Sequence, residues 1–294
     1  MFFQLLLGGL SNGAIYALLA LGITVVFKAT EVANFAAGEL LMVGAYMLYT
    51  FYCLWQFPYL ASFLITAFLV AVVLGVIMER LAFRPLASYG HLIIVMATVA
   101  LGISFKGAVR LLWGSDIRNV PSPFGFEPIE FSLGAMRIAV SSENIAIILV
   151  CLGVMTIFFF FFQYSKLGKT MRATSENQLG AMLVGINVKQ VFSTIWATGT
   201  VICLIAGMLF VPIATLHIEM GSKVMLKSFA ACLLGGFGNL PGALLGGILM
   251  GIIETLFGGY VTTAMMDISS LMVIAVVLII KPQGLFGGKV VVKV

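Results

Sequence analysis

Two carboxylates, Glu39 and Glu254, stand inside otherwise apolar stretches of this chain. A charge in hydrocarbon is costly, so each marks either a polar path or a hydrogen bond that ties helices together. Asn12 and Tyr16, one helical turn apart near the N-terminus, pose the same choice. Gly168-Lys169-Thr170 has the ending of a phosphate-binding loop, but Gln163 stands where that loop needs its first glycine. Gly236-x-Gly238 opens a dinucleotide fingerprint whose third glycine position holds Pro241, and no strand-helix-strand pattern surrounds it. Neither H-E-x-x-H nor G-x-S-x-G occurs. His91 and His217 fall at the ends of apolar runs, which suits interfacial placement. Cys53, Cys151, Cys203 and Cys232 are scattered without a C-x-x-C and read as small buried hydrophobes. The residues therefore predict no catalytic centre, no metal site and no cofactor held by this chain.

The most patterned polar stretch is residues 167–187, LGKTMRATSENQLGAMLVGIN. With Lys166 and Lys189 beside it, it gathers five charges between two strongly apolar runs. Ser175 with Gln178 matches a capping box, Glu176 suits a helix N-terminus, and Gly185 can supply a left-handed stop. The spacing predicts a short amphipathic helix over about 176–184, with Leu179, Met182, Leu183 and Ile186 on one face. Such a helix either lies at the lipid interface or docks on a partner. Its polar face is not strongly basic, and it is short for stable lipid binding, which favours docking.

The elements that carry these residues follow from composition. The 294 residues are 62% hydrophobic and 9% charged, and the mean hydropathy is +1.16. That excludes a soluble globule and predicts an all-α, polytopic transmembrane bundle with broken helices. The short alternating segments of a β-barrel are missing. Spans are expected at about 2–27, 36–55, 58–80, 91–112, 143–164, 191–213, 241–259 and 264–281. That makes about eight, or nine if the apolar piece 228–236 crosses. The N-terminus lacks a basic leader and reads as a retained span. The whole chain, 1–294, is expected to be one transmembrane domain. Within it, 165–190 is a cytoplasmic loop and 113–142 an extracytoplasmic one. Alternation puts ten of the sixteen Lys and Arg residues on the side of 165–190, and the basic excess marks that side as cytoplasmic. Because the basic residues flank apolar spans, nucleic acid is excluded as a partner.

Two stretches interrupt the smooth spans. Asn34-Phe35-Ala36-Ala37-Gly38-Glu39 opens the second, and LLGGFGNLPGALLGG occupies 233–247. Irregular backbone at membrane depth must line a cavity or be buried in protein, and paired interruptions point to a solute path. Asn12, Tyr16, Asn34, Glu39, Gly235, Gly236 and Asn239 are the expected path residues. The alternative for 242–251 is close helix packing, because Gly242/Gly246 and Gly247/Gly251 are G-x-x-x-G pairs.

Gly168-Lys169-x-Met171-Arg172-Ala173-x-x-Glu176-Asn177, followed by Gly185-Ile186-Asn187, resembles the coupling segment of bacterial ABC importer permeases, in particular the branched-chain amino acid group. Residues 30–46, TEVANFAAGELLMVGAY, resemble that group's N-F-A-x-G-E segment. Residues 233–247 resemble its L-G-G-x-G segment, and Lys281-Pro282-Gln283-Gly284-Leu285-Phe286-Gly287 its P-x-G-L-F-G ending. The resemblance implies a permease in the bacterial inner membrane. It implies a second homologous permease, two cytoplasmic ATPases that hold ATP and Mg, and an extracytoplasmic solute-binding protein. It also implies that Gly168, Lys169, Arg172, Ala173, Glu176, Asn177, Leu179, Met182, Leu183, Gly185 and Ile186 meet an ATPase. Expected solutes are branched-chain amino acids, with urea, short amides or aromatic acids among relatives. The rival is a secondary transporter or channel that works without ATPases.

Overall fold

The computed structural model describes residues 2–87, 89–123, 128–133, 136–263 and 265–287. The helices are α1 (Phe2–Thr30), α2 (Ala37–Leu54), α3 (Tyr59–Leu86) and α4 (His91–Trp113). After the long loop come α5 (Ser142–Tyr164), α6 (Lys166–Glu176), α7 (Gln178–Leu183) and α8 (Val188–Phe210). The last three are α9 (Met220–Gly235), α10 (Leu240–Tyr260) and α11 (Met265–Ile280). Among the described residues, seven helices are long and apolar enough to cross a membrane: α1 to α5, α8 and α10. α11 is a shorter apolar helix.

The piece 228–236 is not separate. It is the C-terminal half of α9, whose 16 residues span about 24 Å. Lys223, Lys227, Ser222 and Ser228 mask that helix in an apolar window. α9 runs antiparallel to α10, since Gly235 packs on Gly242 and Ala231 on Gly246. The long loop adds a feature that the sequence reading lacks: an antiparallel hairpin pairing Pro128–Leu133 with Met136–Ser141.

α1 is the central post. Its apolar window is 83% buried, against 22% for α4 and for α5, so the latter two form the outer wall of this chain. Lipid gives apolar side chains no reason to cluster, so the post is held by close backbone approach. Gly9 and Gly13 of α1 meet Gly251 and Ile248 of α10, and Ala17 meets Gly247. A Cβ at Gly13 would sit 2.8 Å from the Ile248 carbonyl oxygen. Gly22 packs likewise on Gly199 and Cys203 of α8. The expected G-x-x-x-G packing across 242–251 is thus realised.

α3 contains two π-helical turns, Ile65–Val70 and Glu79–Phe83. Pro85 follows the second and has no N–H to continue the ladder. The five-residue bond from Arg84 N–H to the Glu79 carbonyl brings side chains five apart onto one face.

Candidate functional site

The helix ends sort into two groups. Lys28, Arg84, Arg172 and Lys189 gather at one end: Lys28 and Arg172 both lie over the Phe162 ring, and Arg84 reaches the Lys189 carbonyl. The segment 165–187 closes this end. It is built differently from the sequence expectation. Ser165 is the first cap and accepts from Gly168 N–H, so α6 starts about ten residues before the anticipated helix. Ser175 therefore lies in the last turn of α6. Its hydroxyl donates back to the Met171 carbonyl at 2.8 Å and caps nothing. Asn177 breaks the chain and caps α7, with Oδ1 accepting from Gly180 N–H at 2.8 Å. Gly185 has φ +84, the left-handed stop anticipated for it.

The expected apolar face is correspondingly rotated. Ala181 turns inward and is buried, and Ile186 packs half-buried against the core. Leu179, Met182, Leu183 and Val184 project outward, with Leu183 at 80% and Val184 at 77% exposure. Val184 is an addition, and Ile186 belongs to the anchor rather than the crest. Lys169, Ala173 and Glu176 are exposed around it, while Gly168 is pressed against the Phe161 and Phe162 carbonyls, where no side chain fits. Arg172 donates to the Phe162 and Gln163 carbonyls and so caps the C-terminus of α5.

A second anchor was invisible in the sequence. Glu79 is 1% exposed and takes two bonds from Arg84, at 2.9 and 2.8 Å, and a third from the Ser193 hydroxyl at 2.7 Å. The pair bolts the end of α3 to the first turns of α8, where the polar segment rejoins the bundle.

The seven expected path residues fall in three places. Asn34 and Glu39 share the first. Asn34 Oδ1 accepts from Ala36 N–H, and Phe35 N–H donates to the Thr98 hydroxyl of α4, so the irregular stretch is buried in protein. Glu39 stands beside Gly102 on the rim of a cavity of about 370 Å³ between α2, α4 and α9. Tyr16 occupies the second, where Lys227 Nζ lies 2.6 Å from Glu254 and 3.3 Å from Asp267, and 6.0 Å from the Tyr16 ring centre. Asn12 is half-buried on the same helix, one turn earlier. Gly235, Gly236 and Asn239 take the third, at the polar-segment end. There Asn239 Nδ2 donates to the Phe286 carbonyl, its Oδ1 caps α10, and Gly236 (φ +97) meets Gly284 and Gly287. Asn239 also lines a cavity of about 450 Å³ with Lys28 and Arg172. The structure does not bring these three onto the Glu39 cavity.

Lys106 and Lys227 lie inside α4 and α9 and are paired there. Lys106 Nζ is 2.6 Å from Glu219 and 2.9 Å from the Ser222 hydroxyl, which in turn donates to Glu39 at 2.9 Å. Among the described residues no cluster of three or more His, Cys, Asp or Glu could hold a metal ion.

A bundle of long apolar helices around a glycine-packed post, carrying charges at depth and a polar helical segment at one end, defines a multi-pass membrane protein. Residues 5–281 match the family model described as the branched-chain amino acid transport system / permease component, and the chain belongs to that family. It is 30% identical to the high-affinity branched-chain amino acid transport system permease protein LivH of Salmonella typhimurium, over 100% of this chain and 98% of that protein. It is 29% identical to BraD of Pseudomonas aeruginosa, with the same shares covered. A probable LivH of Methanocaldococcus jannaschii is 28% identical over 97% of this chain and 92% of its own length. The solved structure of PsaBC from Streptococcus pneumoniae in complex with Fab aligns over 96% of this chain and 93% of its own, with TM-score 0.48 and 14% identity.

Proposed function

We propose that this chain is the permease subunit of an ATP-driven importer for branched-chain amino acids in the bacterial cytoplasmic membrane. A second, homologous permease covers the flank of α2, α4 and α9 and completes the solute path past Asn34 and Glu39. Two cytoplasmic ATPases hold ATP and Mg, and an extracytoplasmic protein delivers the solute. The end that carries Lys169 and Lys189 faces the cytoplasm, as the basic excess requires.

The observation that carries this reading is the crest of α7. Leu179, Met182 and Leu183 are exposed on a helix of six residues, and Val184 on its cap; such a helix is too short to stand alone in water. It is held in place by the Asn177 cap, the Gly185 stop, buried Ala181 and half-buried Ile186. A rigidly anchored apolar knob on a polar segment suits a groove in a partner, and a knob so fixed transmits the partner's movement to α5 and α8. Truncating a buried apolar anchor typically costs about 2 kcal/mol of binding, more than the exposed rim charges Lys169 and Glu176 contribute. Met182→Ala with Leu183→Ala is expected to leave the permease in the membrane, to lose co-purifying ATPase and to lose uptake. Full ATPase retention with full uptake by that double variant would overturn the docking assignment.

A further inference from the structure

The Glu39 cavity has a build that a structural ion pair does not need. Gly102 is the twelfth of 23 residues in α4, so Glu39 beside it sits roughly 16 Å from either helix end, at mid-depth. Charges at that depth are costly and are ordinarily closed directly on each other. Lys106 is paired with Glu219 at the exposed side of the cavity, but Glu39 and Lys106 are not closed on each other. Ser222 stands between Glu39 and Lys106, bonded to each at 2.9 Å. Glu39 Oε1 takes the Ser222 hydroxyl, and Oε2 accepts no hydrogen bond from the described residues, although Glu39 is only 9% exposed. Lys106 uses two of its three donors, on Ser222 and on the exposed Glu219, and keeps one. The remaining wall is apolar, with Phe35, Ile103, Met225 and Phe229.

An acceptor and a donor of opposite charge, held one hydroxyl apart above an apolar wall, match a molecule that carries both charges on one carbon. We propose that the cavity holds the zwitterionic head of an α-amino acid with a short aliphatic side chain during its passage. The ammonium is held on Glu39 Oε2, the carboxylate on Lys106 Nζ, and the side chain against Phe35 and Phe229. A neutral amide or a simple anion leaves the buried Glu39 or the partly exposed Lys106 without a match, which is how polar sites reject analogues. The volume, about 370 Å³, lies at the small end of ligand cavities. This assignment rests on the proposed import of branched-chain amino acids and names the residues that recognise them in the membrane.

The test uses the whole transporter in liposomes with its binding protein, and measures both leucine delivered per ATP hydrolysed and the hydrolysis stimulated by loaded binding protein. Glu39→Gln and Lys106→Met should each lower leucine per ATP by about tenfold, the factor carried by one charge-assisted hydrogen bond. Stimulated hydrolysis should persist, and Glu39→Asp should restore part of the yield. Wild-type yield in both variants would overturn the assignment. So would a parallel loss of hydrolysis in Glu39→Gln and Glu39→Asp, which marks a structural carboxylate. Failure of the wild-type system to move leucine, isoleucine or valine is seen before any variant is made; it overturns the parent reading and this one with it.

Discussion

Glu79 and Glu39 are both buried carboxylates on membrane helices, and their surroundings differ in one respect. Glu79 has both oxygens engaged, with two bonds from Arg84 and one from Ser193. Glu39 accepts one hydrogen bond and borders open space. A completed carboxylate fixes helices, whereas an incomplete one keeps an acceptor for something that comes and goes. The sequence around Glu39 says little, since it is a single Glu among apolar neighbours, and around Glu79 it offers both Arg80 and Arg84 without choosing between them. The partners make the difference: Arg84 lies 5 positions from Glu79 and Ser193 114, whereas Ser222 lies 183 from Glu39.

That contrast is open to breaking, and the sharpest attempt is at Glu79. Glu79→Ala should cost about 3 kcal/mol, the low end for breaking a buried pair, because Arg84 is partly exposed and keeps some access to water. Thermal unfolding in detergent should show a lowered midpoint and poor recovery of the assembled complex. An unchanged midpoint would place Glu79 among the functional groups instead.

Arg172 comes between the two. Its sequence setting suggests an ATPase contact, but its bonds go to the last carbonyls of α5. Arg172→Ala should cost about 1.5 kcal/mol, as for hydrogen bonds from a charged group, and Arg172→Lys should recover less than half because the forked geometry is lost. Equal ATPase retention and equal stability in all three forms would remove the capping role.

The smallest stability change is expected at Glu39. Glu39→Gln keeps an acceptor for Ser222 and should move stability by no more than about 0.5 kcal/mol, while solute yield falls. A large drop in the unfolding midpoint would erase the distinction between the two carboxylates.

Much of the molecule was legible from local pattern. Apolar length placed the long helices, glycine spacing announced the seam between α1 and α10, and the polar segment 168–187 was found where it lies. What was missed depended on distance in sequence. The Ser175–Gln178 capping box is satisfied as a pattern. Ser165 starts the helix earlier, however, and leaves Ser175 in mid-turn and Asn177 as the true cap. α9 was half-seen because Lys223 and Lys227 break its apolar window, although Lys227 is neutralised by Glu254 from another helix. Gly235, Gly236 and Asn239 read as path residues because glycine and asparagine at depth suggest a broken helix. In the structure their first use is to seat residues 284–287 against the corner between α9 and α10.

The central claim is that the crest of α7 receives the ATPases and that their work drives the bundle. It is tested most directly by purifying the complex through this chain, measuring bound ATPase, and assaying leucine uptake in the same preparations of wild type and the Met182→Ala, Leu183→Ala variant. The account predicts intact permease, strongly reduced ATPase and uptake reduced in proportion. Wild-type levels of both in the double variant would contradict it.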